Sequence, residues 1–242
     1  YQLVDLRANP DISVILNLSA EHLDWHGSEE RYRRDKLRLA MLAADNPVVA
    51  NAADPVLSSE LAGRQNVIWF NSEHGISAQP TGLVDEGTEL PAKLPDGLRG
   101  AHNFSNTAAA LTALRLAGGE LPAGLASLPA FQCLPHRLQA IGKRDGVLFV
   151  NDSISSTPVA TVAALEAFAG RDVTLILGGL DRGLDWSPYM NRFRQLMPQA
   201  IIGIPDNGYR IIRKMEELDI VPCKGLHSQE DLPGAVKLAM RL

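Results

Sequence analysis

Short apolar runs separated by amphipathic or alanine-rich stretches set the pattern of this chain. Ser13-Val14-Ile15-Leu16-Asn17-Leu18, Pro47-Val48-Val49-Ala50 and Val67-Ile68-Trp69-Phe70 read as buried strands. Between the first two, Ser28 is placed to cap a helix with Glu29 and Glu30 in its first turn, running to about Ala44. Asp54-Pro55 opens a short helix. Gly, Pro and acidic residues dominate from Asn71 to Asp96, which predicts short antiparallel strands and turns. Gly100 to Asn106 leads into an alanine-rich helix ending near Gly118-Gly119. Pro122, Pro129 and Pro135 then punctuate the chain, and a domain boundary is expected near Phe131–Leu134, dividing it into 1–133 and 134–242.

The second part opens with a predicted hairpin, Leu138 to Gly142 with Val147 to Asn151, turned by Lys143-Arg144-Asp145-Gly146. Val147-Leu148-Phe149-Val150 reads as a buried strand, followed by the polar cluster Asn151-Asp152-Ser153 and a helix capped by Thr157 with Pro158 in its first turn. Further strands are predicted at 173–177, 200–204 and 220–221. Helices are predicted from Ser187-Pro188, over Gly208 to Leu218, and from Ser228 onward. Strands alternating with helices imply an α/β fold with a mainly parallel sheet.

Composition narrows the classes. The 242 residues are 45% apolar with a net charge of −5, ordinary for a soluble globular protein. There is no basic footprint for nucleic acid and no apolar run near the length of a membrane span. The two cysteines, Cys133 and Cys223, make no Cys-x-x-Cys motif and suit a reducing compartment. The opening Tyr1-Gln2-Leu3 reads as mid-protein, so a fragment is expected.

Chemistry concentrates at predicted strand ends and helix starts. His22, Asp24 and His26 lie in the loop after the first strand, as metal ligands or as loop hydrogen-bonders. Tyr32, Lys36 and Leu39 share a helical face, from which a lysine ordinarily snorkels to water. Asn103 and Asn106, three apart, can read the edge of a base or serve as helix-end hydrogen-bonders. Asp152 lies where a strand gives way to a helix, an edge where α/β sheets bind ligands.

Four motifs follow one another in a fixed order: Asn17-Leu18-Ser19-Ala20-Glu21-His22-Leu23-Asp24, His102-Asn103-Phe104-Ser105-Asn106, His136-Arg137 and Asn151-Asp152-Ser153. Together they resemble the Mur ligases of peptidoglycan synthesis. Gly178-Gly179-Leu180-Asp181-Arg182-Gly183 narrows the resemblance to the type that joins glutamate to UDP-N-acetylmuramoyl-L-alanine. The resemblance implies the later part of a central ATP-binding domain at 1–133, then an incomplete Rossmann-like, glutamate-binding domain at 134–242. It implies a cytoplasmic, monomeric enzyme that uses ATP and Mg2+ and forms an amide through an acyl phosphate, with neither nucleic acid nor membrane as partner. By motif match, His22 would ligate magnesium and Lys36 would carry a carbamate supporting it, both counted as catalytic. Asn103 and Asn106 would contact adenine, Arg137 the ribose or phosphates, and Asp152 the ribose hydroxyls. Arg182, Ser156 and Thr157 would hold glutamate.

The 242 residues contain no Gly-x-x-x-x-Gly-Lys-Ser/Thr run, and the resemblance implies that the uridine-binding domain lies outside them, so the chain alone is expected to be inactive. Members of this type commonly carry a lysine where Ile154 stands. Ile154-Ser155-Ser156-Thr157-Pro158 therefore looks more like a branch that adds L-glutamate. Three other readings stay open: the ordinary D-glutamate-adding type, a folylpolyglutamate synthase-like ligase, and a non-catalytic nucleotide-binding protein.

Overall fold

The computed structural model describes residues 3–19, 23–98 and 100–242. The chain forms two compact units, Tyr1–Cys133 and Leu134–Leu242. Strand order and packing make each a mixed α/β unit with a parallel sheet at its centre.

In the first unit, β1 (Ser13–Ile15), β2 (Val48–Asn51) and β3 (Val67–Phe70) pair in parallel in that order. The central strand is buried on both faces, as a covered parallel sheet requires. Val48 and Ala50 point to one side, where Tyr32, Leu37, Ala40, Leu57 and Leu61 pack. These come from helices α2 (Glu29–Leu42) and α3 (Pro55–Glu60) and the residue that ends α3; the four-residue helix α1 (Leu23–His26) precedes them. Val49 and Phe70 point to the other side, against Ala108, Ala109 and Leu111 of α4 (Ala101–Leu116). An antiparallel sheet of β4 (Ile76–Gln79), β5 (Gly82–Asp85) and β6 (Thr88–Leu90) adds Ile76 and Leu83 to that layer. The caps act as their residue types dictate: Ser28 Oγ accepts from the Arg31 N–H, and Asp54 Oδ1 from the Val56 and Leu57 N–H groups. A helix not anticipated from the proline-rich stretch, α5 (Leu121–Ser127), begins with Pro122 in its first turn and buries Leu125.

In the second unit, β7 (Gln139–Arg144) and β8 (Val147–Asn151) form a hairpin closed by Asp145 and Gly146, both left-handed. Helix α6 (Pro158–Ala167) starts at Thr157, whose Oγ1 accepts from the Ala160 N–H. The parallel sheet is β9 (Thr174–Gly179), β10 (Ala200–Asp206) and β11 (Leu226–Ser228), with β10 central. Helices α7 (Met190–Gln195), α8 (Asn207–Glu217) and α9 (Leu232–Ala239) complete the unit. Phe193, Ile201, Ile211 and Met215 share its core. Gly203 and Gly208 let α8 lie against the sheet: a Cβ on Gly208 would stand 2.4 Å from the Leu177 carbonyl oxygen.

Four expectations need correction. The first strand stops at Ile15, and Leu16 and Leu18 bond to side chains instead of a neighbouring strand: the Leu16 carbonyl accepts from Asn51 and the Leu18 N–H donates to Asp54. Val147 and Leu148 are exposed rather than buried, because their strand pairs only within the hairpin. Ile220-Val221 is no strand; Ile220 closes the end of α8, and the next strand is β11. Ser228 ends β11, and the last helix begins beyond Asp231, whose Oδ1 accepts from the Gly234 N–H.

Candidate active site

In the first unit the carboxyl ends of the strands carry an amide network. Asn51 closes β2 and donates to the Leu16 carbonyl at 3.0 Å. Asn71 follows β3 with a left-handed backbone, which asparagine tolerates. Its Nδ2 donates both to Asn51 Oδ1 at 2.9 Å and to Ser105 Oγ at 2.8 Å. Its Oδ1 accepts from the Ala78 N–H. The sequence offers one signal for this pair: each apolar run ends in asparagine. An open cleft of about 740 Å3, lined in part by Asn71, Ser77, Gln79 and Glu86, adjoins the network.

Asn103 and Asn106 lie in the first turns of α4. The Asn106 amide donates to Asn103 Oδ1 over a long 3.5 Å, so the two side chains do share a face. Asn103 is buried, its amide 3.0 Å from His102 Nε2. Helix α4 begins at Gly100 without a side-chain cap.

Lys36 is half-buried on α2, its Nζ 5.6 Å from the centroid of the Tyr32 ring. His26 is fully buried, 2.7 Å from Asp35 Oδ2 through Nδ1 and edge-on to Trp25 and Tyr32. It is thereby a core residue tied to α2. Asp24 sits in α1, and His22 lies outside the described residues. Among the described residues no three His, Cys, Asp or Glu side chains gather as a metal site, and Lys36 as an ammonium repels a cation.

In the second unit the hairpin register brings two motifs together. Gln139 pairs with Asn151, so His136-Arg137 lies beside Asn151-Asp152-Ser153. Asp152 Oδ1 accepts from the Leu138 N–H at 2.9 Å and Oδ2 from the Ser155 hydroxyl at 2.6 Å. Each oxygen keeps a second lone pair, so the carboxylate can still accept from a diol such as a ribose. His136 Nδ1 lies 2.9 Å from Asn151 Nδ2 and 3.2 Å from Ser153 Oγ. Because an amide nitrogen only donates, Nδ1 accepts and Nε2 carries the proton of the neutral ring. His136 and Leu138 are both left-handed, at about 1–2 kcal/mol each. Asp152 helps to hold that backbone. Arg137 is exposed.

Ser156 and Thr157 lead into α6, where the Thr157 oxygen is already used as the cap. The loop after β9 is set by Asp181. It accepts from the Gly183 N–H and pairs with Arg210, 2.7 Å from Nε to Oδ2. Those two contacts, the Gly183 N–H first, hold its carboxyl below the usual carboxylate range. The Ser187 N–H likewise lowers Asp185. Arg182, next to the pair, is exposed and makes no ion pair among the described residues. Arg210 gave no sequence signal, because its partner lies 29 residues away.

Comparison with known proteins places these features. Residues 1–114 match the Mur ligase middle domain. The UDP-N-acetylmuramoyl-L-alanine–L-glutamate ligase of Xanthomonas oryzae is 42% identical over 235 residues, covering 96% of this chain and 50% of that relative. The chain spans about half the length of the curated relatives it matches. Among solved structures, MurF from Acinetobacter baumannii superposes with a TM-score of 0.72 at 19% identity, over 96% of this chain and 53% of that one. E. coli FolC in complex with DHPP and ADP superposes with a TM-score of 0.63 at 19% identity, over 96% and 56%. At those identities the likeness is one of fold. The ordered motifs, the two α/β units and the matched domain agree: residues 1–114 carry the Mur ligase middle domain, and nearly the whole chain is similar to about half of such a ligase.

Proposed function

We propose that the protein to which this chain belongs is a cytoplasmic, ATP-dependent ligase that joins glutamate to UDP-N-acetylmuramoyl-L-alanine in the synthesis of peptidoglycan precursor, and hence of the cell wall. The observation that carries the reading is the identity of about 40% to L-glutamate ligases along nearly the whole chain. The packing of His136-Arg137 against Asn151-Asp152 agrees with it.

A carboxylate is a poor electrophile, and bound ATP supplies the phosphoryl group that gives it a leaving group. In this reading Asn103 and Asn106 contact the base, Asp152 accepts from the ribose hydroxyls, and Arg137 meets the ribose or phosphates. Arg182 holds the carboxylate of the incoming glutamate, for which a guanidinium is suited. Ser156 and Thr157 contribute from the start of α6. Lys36 carries a carbamate.

The preferred amino acid is L-glutamate. Isoleucine at position 154 cannot donate to a carboxylate, so the cation for glutamate must come from elsewhere, and Arg182 is exposed and makes no ion pair among the described residues. The test supplies the full-length protein with UDP-N-acetylmuramoyl-L-alanine, ATP and each glutamate isomer, and follows phosphate release. L-Glutamate should be preferred by more than about tenfold in kcat/KM. Equal or better use of D-glutamate overturns the stereochemical assignment, and no release with either isomer overturns the ligase reading.

A further inference from the structure

We infer that Ser105, held by the Asn51–Asn71 amide pair, is a positioning residue that sets how Asn103 and Asn106 meet the nucleotide. The inference rests on the nucleotide assignment made above for those two asparagines.

Helix α4 enters without a side-chain cap: Gly100 has φ 96° and nothing on it to accept an orphan N–H. The Ser105 hydroxyl, one turn in, accepts from Asn71 Nδ2 at 2.8 Å. Asn71 is itself immobilised. Both its amide protons and its carbonyl oxygen are engaged, by Asn51, Ser105 and the Ala78 N–H. Its main-chain N–H donates to the Ile76 carbonyl at 2.9 Å. Asn51 extends the chain of bonds to the Leu16 carbonyl and takes the Ala53 N–H. One continuous set of hydrogen bonds therefore runs from Leu16, just past β1, through Asn51 and Asn71 at the ends of β2 and β3, to Ser105, which lies between Asn103 and Asn106.

Three to four residues make a helical turn, so a small rotation of α4 about Ser105 swings both amides together. A base edge is read by donors and acceptors whose hydrogen bonds weaken steeply with angle. Fixing the rotation of α4 against the sheet therefore bears on base recognition as well as on stability.

Ser105→Ala separates the two roles. A purely structural role for the hydroxyl predicts lower stability, because Asn71 loses its acceptor, with unchanged kinetics. The positioning account expects the KM of the full-length ligase for ATP to rise about fivefold to tenfold, the scale of one lost hydrogen bond. The KM values for glutamate and the nucleotide-sugar should hold. Ser105→Thr, which keeps the hydroxyl, should restore the ATP value. In the 242-residue chain, Ser105→Ala should also shift the side-chain amide resonances of Asn106 in a nitrogen-15 spectrum. Asn106→Ala is the control. If it raises the ATP KM and Ser105→Ala does not, the positioning role is wrong. If neither does, the nucleotide assignment of α4 itself is wrong.

Discussion

Lys36 lies over the Tyr32 ring, its Nζ 5.6 Å from the ring centroid. The carbamate proposed there forms when the neutral amine attacks carbon dioxide and loses a proton. The product is an anion with two oxygens, opposite in charge to the side chain it replaces. The expected outcome for Lys36→Ala in the full-length protein is a loss of ligase rate on the order of a hundredfold, the scale of one removed electrostatic contact in an active site. Short carboxylic acids should restore part of it, and wild-type activity in the variant without such acids would remove the carbamate from the mechanism. The neighbouring loop shows why single residues are hard to read from sequence. His22, Asp24 and His26 alternate as metal ligands do, yet His26 is spent on Asp35, nine positions away on α2. Asn103 and Asn106 were legible as a pair because helical geometry alone sets their spacing. Asn51 and Asn71 offer only the hint that each apolar run ends in asparagine, and Arg210 none, because their partners lie 20 or more residues off.

At the scale of elements, what is local was legible and what depends on neighbours was not. Ser28, Asp54 and Thr157 cap the helices they precede, since a cap needs only its own next three residues. The Asp145-Gly146 turn was equally plain. Strand propensity could not tell that Val147 and Leu148 pair only in a hairpin and stay exposed. Ile220 misled for a different reason. Its N–H donates to the Met215 carbonyl and that of Asp219 to Glu216, a helix-ending motif in which an apolar residue folds back on the helix it ends. Ile220 and Met215 share the buried core accordingly. Asp219 occupies the left-handed position at φ 52°, where glycine is at home. Asp219→Gly should stabilise the second unit by up to about 1 kcal/mol, the left-handed penalty of aspartate less the extra chain entropy of glycine. Asp219→Val should destabilise it, and urea denaturation of the two variants should give shifts of opposite sign.

At the scale of the whole molecule, the two parallel sheets share a logic. In the first unit Asn51, Asn71 and Ser105 gather where strands end and α4 begins. In the second, Asp181 and Arg210 do the same beyond β9, while the His136 and Asp152 motifs use the hairpin instead. Each unit thus places amide, carboxylate or guanidinium groups at the ends of its strands. It does not supply a main-chain cradle for the transferring phosphates, because no Gly-x-x-x-x-Gly-Lys-Ser/Thr run occurs in these 242 residues. Phosphoryl transfer is catalysed almost wholly by positioning and charge stabilisation, and its rate collapses when the reacting groups are not held in line. The 242-residue polypeptide by itself is therefore expected to release no phosphate above background when given ATP, UDP-N-acetylmuramoyl-L-alanine and L-glutamate. The full-length protein, assayed beside it, should turn over. Release from the shorter chain that depends on both ATP and glutamate would mean that these residues grip the phosphates in a way their motifs do not suggest.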